Sequence, residues 1–238
     1  MRQTPAQAHY MRAMAALAAS AGSAADAYGQ TIGTAYELQL VQLHQHRIAL
    51  KDIKANERKA EAKRAMLPEY DAYLSGVFDT KPGTQDEVVA TILIWAIDAG
   101  DYARAMPLAE YALASGINPP DNYNRDMASV VAEEIAEAVL AGRLKDQDAI
   151  AVTQRVLELT AETDMHDQIK AKLNKAAGWA LLGKTNSQDI AMDAKGRTLQ
   201  VCGAALPYLQ RAMELDPLRA GVKKDIERLE ARLKKVAP

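Results

Sequence analysis

The stretch TQDEVVATILIWAIDAGDYARAMPLAEYALASGINPP, residues 84–120, decides the fold, because it reads as two helices meeting at a glycine. Val88, Ile92, Leu93, Trp95 and Ile97 make the first helix, from Thr84 to Asp98, apolar, and Gly100 ends it. Glycine is the residue that enters the left-handed conformation at a helix C-terminus without steric cost. Asp101-Tyr102 then opens a second helix, and its Ala105, Ala109, Ala112 and Leu113 form a stripe narrow enough to lie close against the first. Asn118-Pro119-Pro120 stops it. The same template returns later: Trp179 runs to Gly183, and after a polar interruption Ala205, Leu209, Ala212 and Met213 lead to Asp216-Pro217. Paired helices of this kind are similar to tetratricopeptide hairpins. A free-standing solenoid needs about three or more repeats, so a tetratricopeptide-like body and ordinary helix pairs within one domain both remain open.

Working outward, the composition predicts an all-α fold. Ala, Leu, Met, Glu, Gln, Lys and Arg dominate, while aromatic residues are scarce and Phe78 is the single phenylalanine, a balance that favours helix over strand. With 238 residues, 49% of them apolar, the chain can bury one sizeable core or two small ones. No apolar run approaches the roughly 18 residues that a membrane span requires, and the alanine-rich start lacks the layout of a signal peptide, so the expected location is cytoplasmic. Cys202 is the one cysteine; it has no disulfide partner and no neighbouring His or Cys, and is read as a packed or loop-end thiol.

The net charge of −2 conceals a polarity along the chain. Residues 47–64 carry Arg47, Lys51, Lys54, Arg58, Lys59, Lys63 and Arg64 against Asp52, Glu57 and Glu61, a net of +4. The last 21 residues repeat the balance, with Arg219, Lys223, Lys224, Arg228, Arg232, Lys234 and Lys235 against Asp225, Glu227 and Glu230. Residues 65–217 between them sum to −10. Clustered cations on a helix can follow phosphates and release their counterions. A solvated helix laced with i,i+4 pairs has the same composition, and an acidic body with basic arms is also self-complementary in an oligomer.

The organisation follows from helix breakers. Pro5 opens a helix through about Ser20, and Gly22 to Gly33 reads as a flexible connection, so residues 1–33 form an N-terminal arm. No proline or glycine interrupts 34–67, which predicts a single long helix. Its first half carries Tyr36, Leu40, Val41, Leu43, Ile48 and Leu50 and is assigned to oligomerisation, while its charged second half is assigned to solvent or phosphate. His44 and His46 fall on different faces and are read as interface or surface residues. After Leu67-Pro68, Tyr70 to Phe78 is read as a short apolar connector. Residues 68–238 then form the helical-hairpin domain, with helices near 128–140, 146–163, 167–182, 199–215 and 218–235 and a polar insertion at about 184–197.

Metal-dependent cutting of DNA needs carboxylates converging on divalent ions. Glu133, Glu134 and Glu137 are the densest acidic group, but Glu133 and Glu137 have the spacing of an ordinary solvated helix face. Asp164-Met165-His166-Asp167 sits where a helix starts and reads as a cap. A glycine-rich phosphate loop of the GxxxxGK[ST] kind is absent. No catalytic residue, metal-ligand set or cofactor site is therefore assigned.

One resemblance covers nearly the whole chain. It is carried in order by Pro5-Ala6-Gln7, His9-Tyr10-Met11-Arg12, Tyr36-Glu37, Lys63-Arg64 before Leu67-Pro68, Gln85-Asp86-Glu87, Trp95 with Asp98-Ala99-Gly100-Asp101, and Tyr111-Ala112-Leu113. It continues through Leu157-Glu158-Leu159-Thr160-Ala161, Ala171-Lys172-Leu173, Leu209-Gln210-Arg211-Ala212 and the run from Ala220 to Leu229. In that order the residues closely resemble the small terminase subunit of peduovirus-type tailed phages. The resemblance implies a homo-oligomer, ring-like in form, that binds the packaging site of double-stranded viral DNA in the host cell cytoplasm. It also implies recruitment of a large subunit that hydrolyses ATP. The family often carries the label of terminase endonuclease subunit, and the alternatives are a metal-dependent endonuclease or a protein-binding scaffold without DNA contact. The 184–197 insertion, and a C-terminus at Val236-Ala237-Pro238 where some relatives are expected to carry a basic tail, leave the main DNA contact open.

Overall fold

The computed structural model describes residues 34–81, 83–120, 125–186 and 198–235, together with positions 5, 6, 9, 10 and 13. The expected connection at 22–33 and most of the 184–197 insertion lie outside the described residues. All regular structure among the described residues is helical. The chain divides into two compact units, 1–127 and 128–238.

In the first unit, helix α1 spans Thr34–Lys51 and α2 spans Asn56–Met66. The single helix expected over 34–67 is thus broken. Ile53 N–H closes a tight turn onto the Leu50 carbonyl, and Ala55 is extended at the N-cap of α2, with φ −76° and ψ 129°. No breaker residue marks the place. What decides it is packing: a straight continuation would carry residues 56–67 away from the apolar helix beneath them and strand Leu67, which is fully buried. The apolar connector expected at 70–78 is also helical: a 3-10 turn, Leu67–Tyr70, leads into α3, Asp71–Thr80. Tyr70, Tyr73, Leu74 and Val77 are buried there.

The centre of this unit is α4, Glu87–Ala99, buried at almost every position. Gly100, at φ 72°, reverses the chain into α5, Tyr102–Ala114, and Asp101 caps α5 by accepting from the Arg104 N–H. Ala105, Leu108, Ala109 and Ala112 are buried in this hairpin, as the quoted stretch requires. At the other end of α4, Asp86 is buried, accepts from Val89 N–H at 3.0 Å and from the Tyr73 hydroxyl at 2.6 Å. Burial pushes its pKa up from 3.8 to about 6, although those hydrogen bonds pull the other way. The unfolded chain releases this proton near 3.8 and the folded chain near 6, so the folded state holds it more tightly in between. The stability this group contributes is full below about pH 4 and is lost as pH rises through about 6. Asp86→Asn keeps an oxygen for the Val89 N–H, lets its amide donate to the Tyr73 hydroxyl instead of accepting from it, and has no such proton. In urea unfolding from pH 4 to 7, wild type should lose about 2–3 kcal/mol relative to the variant; parallel profiles would refute the assignment.

The second unit holds α6, Met127–Leu140, α7, Asp146–Leu159, α8, Asp167–Leu182, α9, Leu199–Leu215, and α10, Lys223–Lys234. Helix α8 ends at Gly183, φ 63°, and packs along α9. Gly178 on α8 meets Leu209 and Ala205 on α9 so closely that a Cβ there would lie 2.6 Å from Leu209 Cδ2. The second helix of each hairpin places a proline two residues after its first buried alanine, Ala105 and Pro107 in one, Ala205 and Pro207 in the other. Cys202 is buried inside α9. The cap expected from Asp164–Asp167 is not made by a side chain: His166 occupies the N-cap without a side-chain bond, and Asp167 lies in the first turn. There its negative charge complements the helix dipole. A tetratricopeptide superhelix is not established by these two hairpins.

Candidate nucleic-acid interface

Residues 47–64, assigned from sequence to phosphate, divide into two groups. Arg47 donates to Glu87 and, at 2.8 Å, to the Thr91 hydroxyl, at the start of α4. Lys63 donates to Asp98 and lies 5.9 Å from the centre of the Trp95 ring. Arg64 donates to the Ala99 carbonyl, at the C-terminus of α4, where unpaired carbonyls and the helix dipole attract a cation. These three side chains fasten α1 and α2 to α4. A sequence clue exists for this in Glu87 and Asp98, the two carboxylates that bracket the apolar run of α4.

Lys51, Lys54, Arg58 and Lys59 form the second group, around the break between α1 and α2. Lys51, Lys54 and Arg58 are exposed, Lys59 is half-buried, and none makes an ion pair among the described residues. Helix α2 has no buried residue, so its polar side is presented outward on a scaffold of strong helix formers. Exposed Asp52, Glu57 and Glu61 are interleaved with these cations and dilute their field.

The residues assigned to oligomerisation also separate. Tyr36, Leu43 and Leu50 are buried within their own unit, and Leu40 is half-buried. Val41 and Ile48 remain 58% and 50% exposed, and Leu38 joins them at 49%. Positions 38, 41 and 48 share one face of α1 at helical spacing. Neighbouring His46 is not a free surface residue: its Nδ1 lies 2.9 Å from the Tyr70 hydroxyl, and burial lowers its pKa despite the nearby Glu69.

Among the described residues no three His, Cys, Asp or Glu side chains are arranged to hold a metal ion. Glu133 and Glu137 share Lys172, at 2.9 and 3.0 Å, which is the solvated-helix arrangement rather than a convergent pair of empty carboxylates. No helix among the described residues is long and apolar enough to cross a membrane.

Comparison with known proteins places these features. The model of the phage small terminase subunit family matches residues 40–168. The chain is 38% identical over 235 residues to the terminase, endonuclease subunit of Escherichia phage P2, covering 97% of this chain and 86% of that protein. The chain belongs to the phage small terminase subunit family. This small terminase is also 25% identical over 216 residues to the probable terminase, endonuclease subunit of Haemophilus phage HP1, strain HP1c1, covering 87% of this chain and 73% of that protein. No solved structure matches it. As a small terminase it has a role in phage DNA packaging, and the matched region spans α2, the fastened cations and the central α4–α5 hairpin.

Proposed function

We propose that this small terminase is the DNA-recognition adaptor of the packaging machine: it binds the packaging site of the viral duplex, associates with copies of itself, and engages the large subunit. The observation that carries the reading is the match over 86% of a terminase subunit's length, joined to cations that make no ion pair among the described residues. Lys51, Lys54, Arg58 and Lys59 serve as phosphate contacts on this reading. Leu38, Val41 and Ile48 are the part of α1 left for contact between copies, since apolar side chains grouped on one exposed face stabilise association when covered.

The test is equilibrium binding to a labelled duplex carrying the cohesive-end region, against a scrambled duplex, across a salt series. The expected result is tighter binding to the packaging site, with an affinity that falls steeply with salt. Arg58→Glu with Lys59→Glu should weaken both duplexes alike by about 10-fold or more and flatten the salt slope by about one to two. A folded protein that binds neither duplex at any salt concentration would overturn the adaptor reading. Cutting of the packaging site by purified protein with magnesium alone would support the endonuclease alternative instead.

A further inference from the structure

Helix α10 carries a more strongly positive exposed surface than the segment 47–64. Its inward face is apolar and anchored: Val222, just ahead of it, and Leu229 are buried, and Asp225 is tied to Trp179 and Lys184. Its outward face presents Lys223, Lys224, Lys234 and Lys235, all exposed and none in an ion pair among the described residues. Exposed Arg219 adds a fifth cation just before the helix. Glu227 is the one exposed acidic residue of α10, because Glu230 is half-buried and accepts from Gln210 Nε2 at 3.2 Å.

The spacing has a geometric consequence. Lys223 and Lys234, and likewise Lys224 and Lys235, are eleven residues apart. Eleven residues are just over three turns, so each pair lines up along the helix about 16 Å apart. A helix about 10–12 Å across can enter a major groove about 12 Å wide. Lysines at its two ends then reach the phosphates on both lips, with small Ala231 on the side facing the duplex. Protein interfaces are anchored by buried aromatic, arginine or large apolar side chains. The outward face of the helix itself has no such anchor: it is lysine, alanine and one glutamate, and the exposed Leu218 lies ahead of the helix, beside Arg219. Flexible point charges without an apolar centre match a polyanion.

We propose that the outward face of α10 is a second duplex-DNA surface of this protein, in the unit that does not contain 47–64, and that Lys223, Lys224, Lys234 and Lys235 contact backbone phosphates there. The inference rests on the adaptor reading and adds to it a second origin of its salt-dependent affinity.

The experiment compares three full-length proteins on the same duplex across a salt series: wild type, the Lys223→Gln, Lys224→Gln, Lys234→Gln, Lys235→Gln variant, and Glu227→Lys. Each phosphate contact contributes about 0.9 to the salt slope. The four-lysine variant should lower the slope by about 3.6 and weaken binding by more than about 1,000-fold near 0.1 M salt, with unchanged helicity and melting, since every altered side chain is exposed. Glu227→Lys should raise the slope by about one and tighten binding, a gain that general damage to the fold does not produce. Wild-type binding with unchanged slopes in both variants overturns the α10 assignment and leaves the adaptor reading standing. Absence of salt-dependent wild-type binding overturns both.

Discussion

Replacing Asp225 by alanine is expected to cost the second unit about 3–5 kcal/mol, among the largest effects of any single change in this protein. The carboxylate is nearly dry: its side chain is 4% exposed and that of its partner Lys184 is 10% exposed. Lys184 Nζ donates to both carboxylate oxygens, at 2.9 and 2.8 Å, and Trp179 Nε1 donates to one of them at 2.9 Å. The same ammonium lies 4.2 Å from the centre of the Trp179 ring, with Lys175 Nζ at 4.5 Å. Burial, and then the charge of Lys184, pull the pKa of Lys175 down. Removing Asp225 leaves an ammonium and an indole N–H in a site that water reaches poorly, and two cations without the charge that holds them together. That penalty, rather than the strength of the original pair, sets the magnitude. The chain has one tryptophan in each unit, Trp95 and Trp179. Urea unfolding followed by Trp179 emission in a Trp95→Phe background therefore reads the second unit alone. A loss under about 1 kcal/mol would show that the network is solvated and contributes little. Because Asp225 lies on the inward side of α10, its loss should also weaken duplex binding through displacement of the outward lysines.

Gly178→Leu should be about as costly, near 3 kcal/mol, for a steric reason. The approach of α8 to α9 leaves no room for a Cβ at this position: it would lie 2.6 and 2.9 Å from Leu209 Cδ2 and Cγ, and 3.3 Å from the Ala205 carbonyl oxygen. Leu209 is fully buried and cannot swing aside, and the Ala205 carbonyl is backbone. Gly178→Ala should cost less, because the helix propensity gained, about 1 kcal/mol, offsets part of the overlap. Leu209→Ala in the Gly178→Leu background should recover stability where Leu209→Ala alone loses it, a coupling that equilibrium unfolding measures directly. The control is Gly203→Ala. That glycine lies in α9 with nothing within 4 Å of an added Cβ, and the substitution should stabilise by about 0.5–1 kcal/mol. If Gly178→Leu were neutral or stabilising, as Gly203→Ala is expected to be, the close approach of α8 and α9 would not exist in solution.

The two hairpins were legible because their signals are local. Gly100 and Gly183 adopt the left-handed turn that glycine permits, and the buried alanines 105, 109, 112, 205 and 212 are the ones the spacing singled out. The break at 52–55 was not legible, since nothing in Asp52-Ile53-Lys54-Ala55 forbids a helix; burial of Leu67 and the pull of Asp98 and the α4 C-terminus on Lys63 and Arg64 bend the chain back. For the same reason the basic segment could be counted but not sorted. Arg47, Lys63 and Arg64 look like Lys51, Lys54 and Arg58 in the sequence, and only long-range partners separate fastened cations from free ones. Asp225 shows the converse: in sequence it reads as one more charge on a basic amphipathic helix, and its burial depends on Trp179 and Lys184, more than 40 residues earlier.

By itself, then, the sequence determined that the chain is helical, where its hairpins turn, which alanines line them, and, through collinear residues along its length, that it is a small terminase. Those properties depend on residues close together in the chain or on their order, and both are written in it. The tertiary structure alone decided where the long helix breaks, which apolar residues of α1 are spent in its own core and which stay exposed, and which cations still face outward. Those properties depend on what lies across a packed interface, where burial and charge pairing outweigh the weak local preferences of the residues that meet.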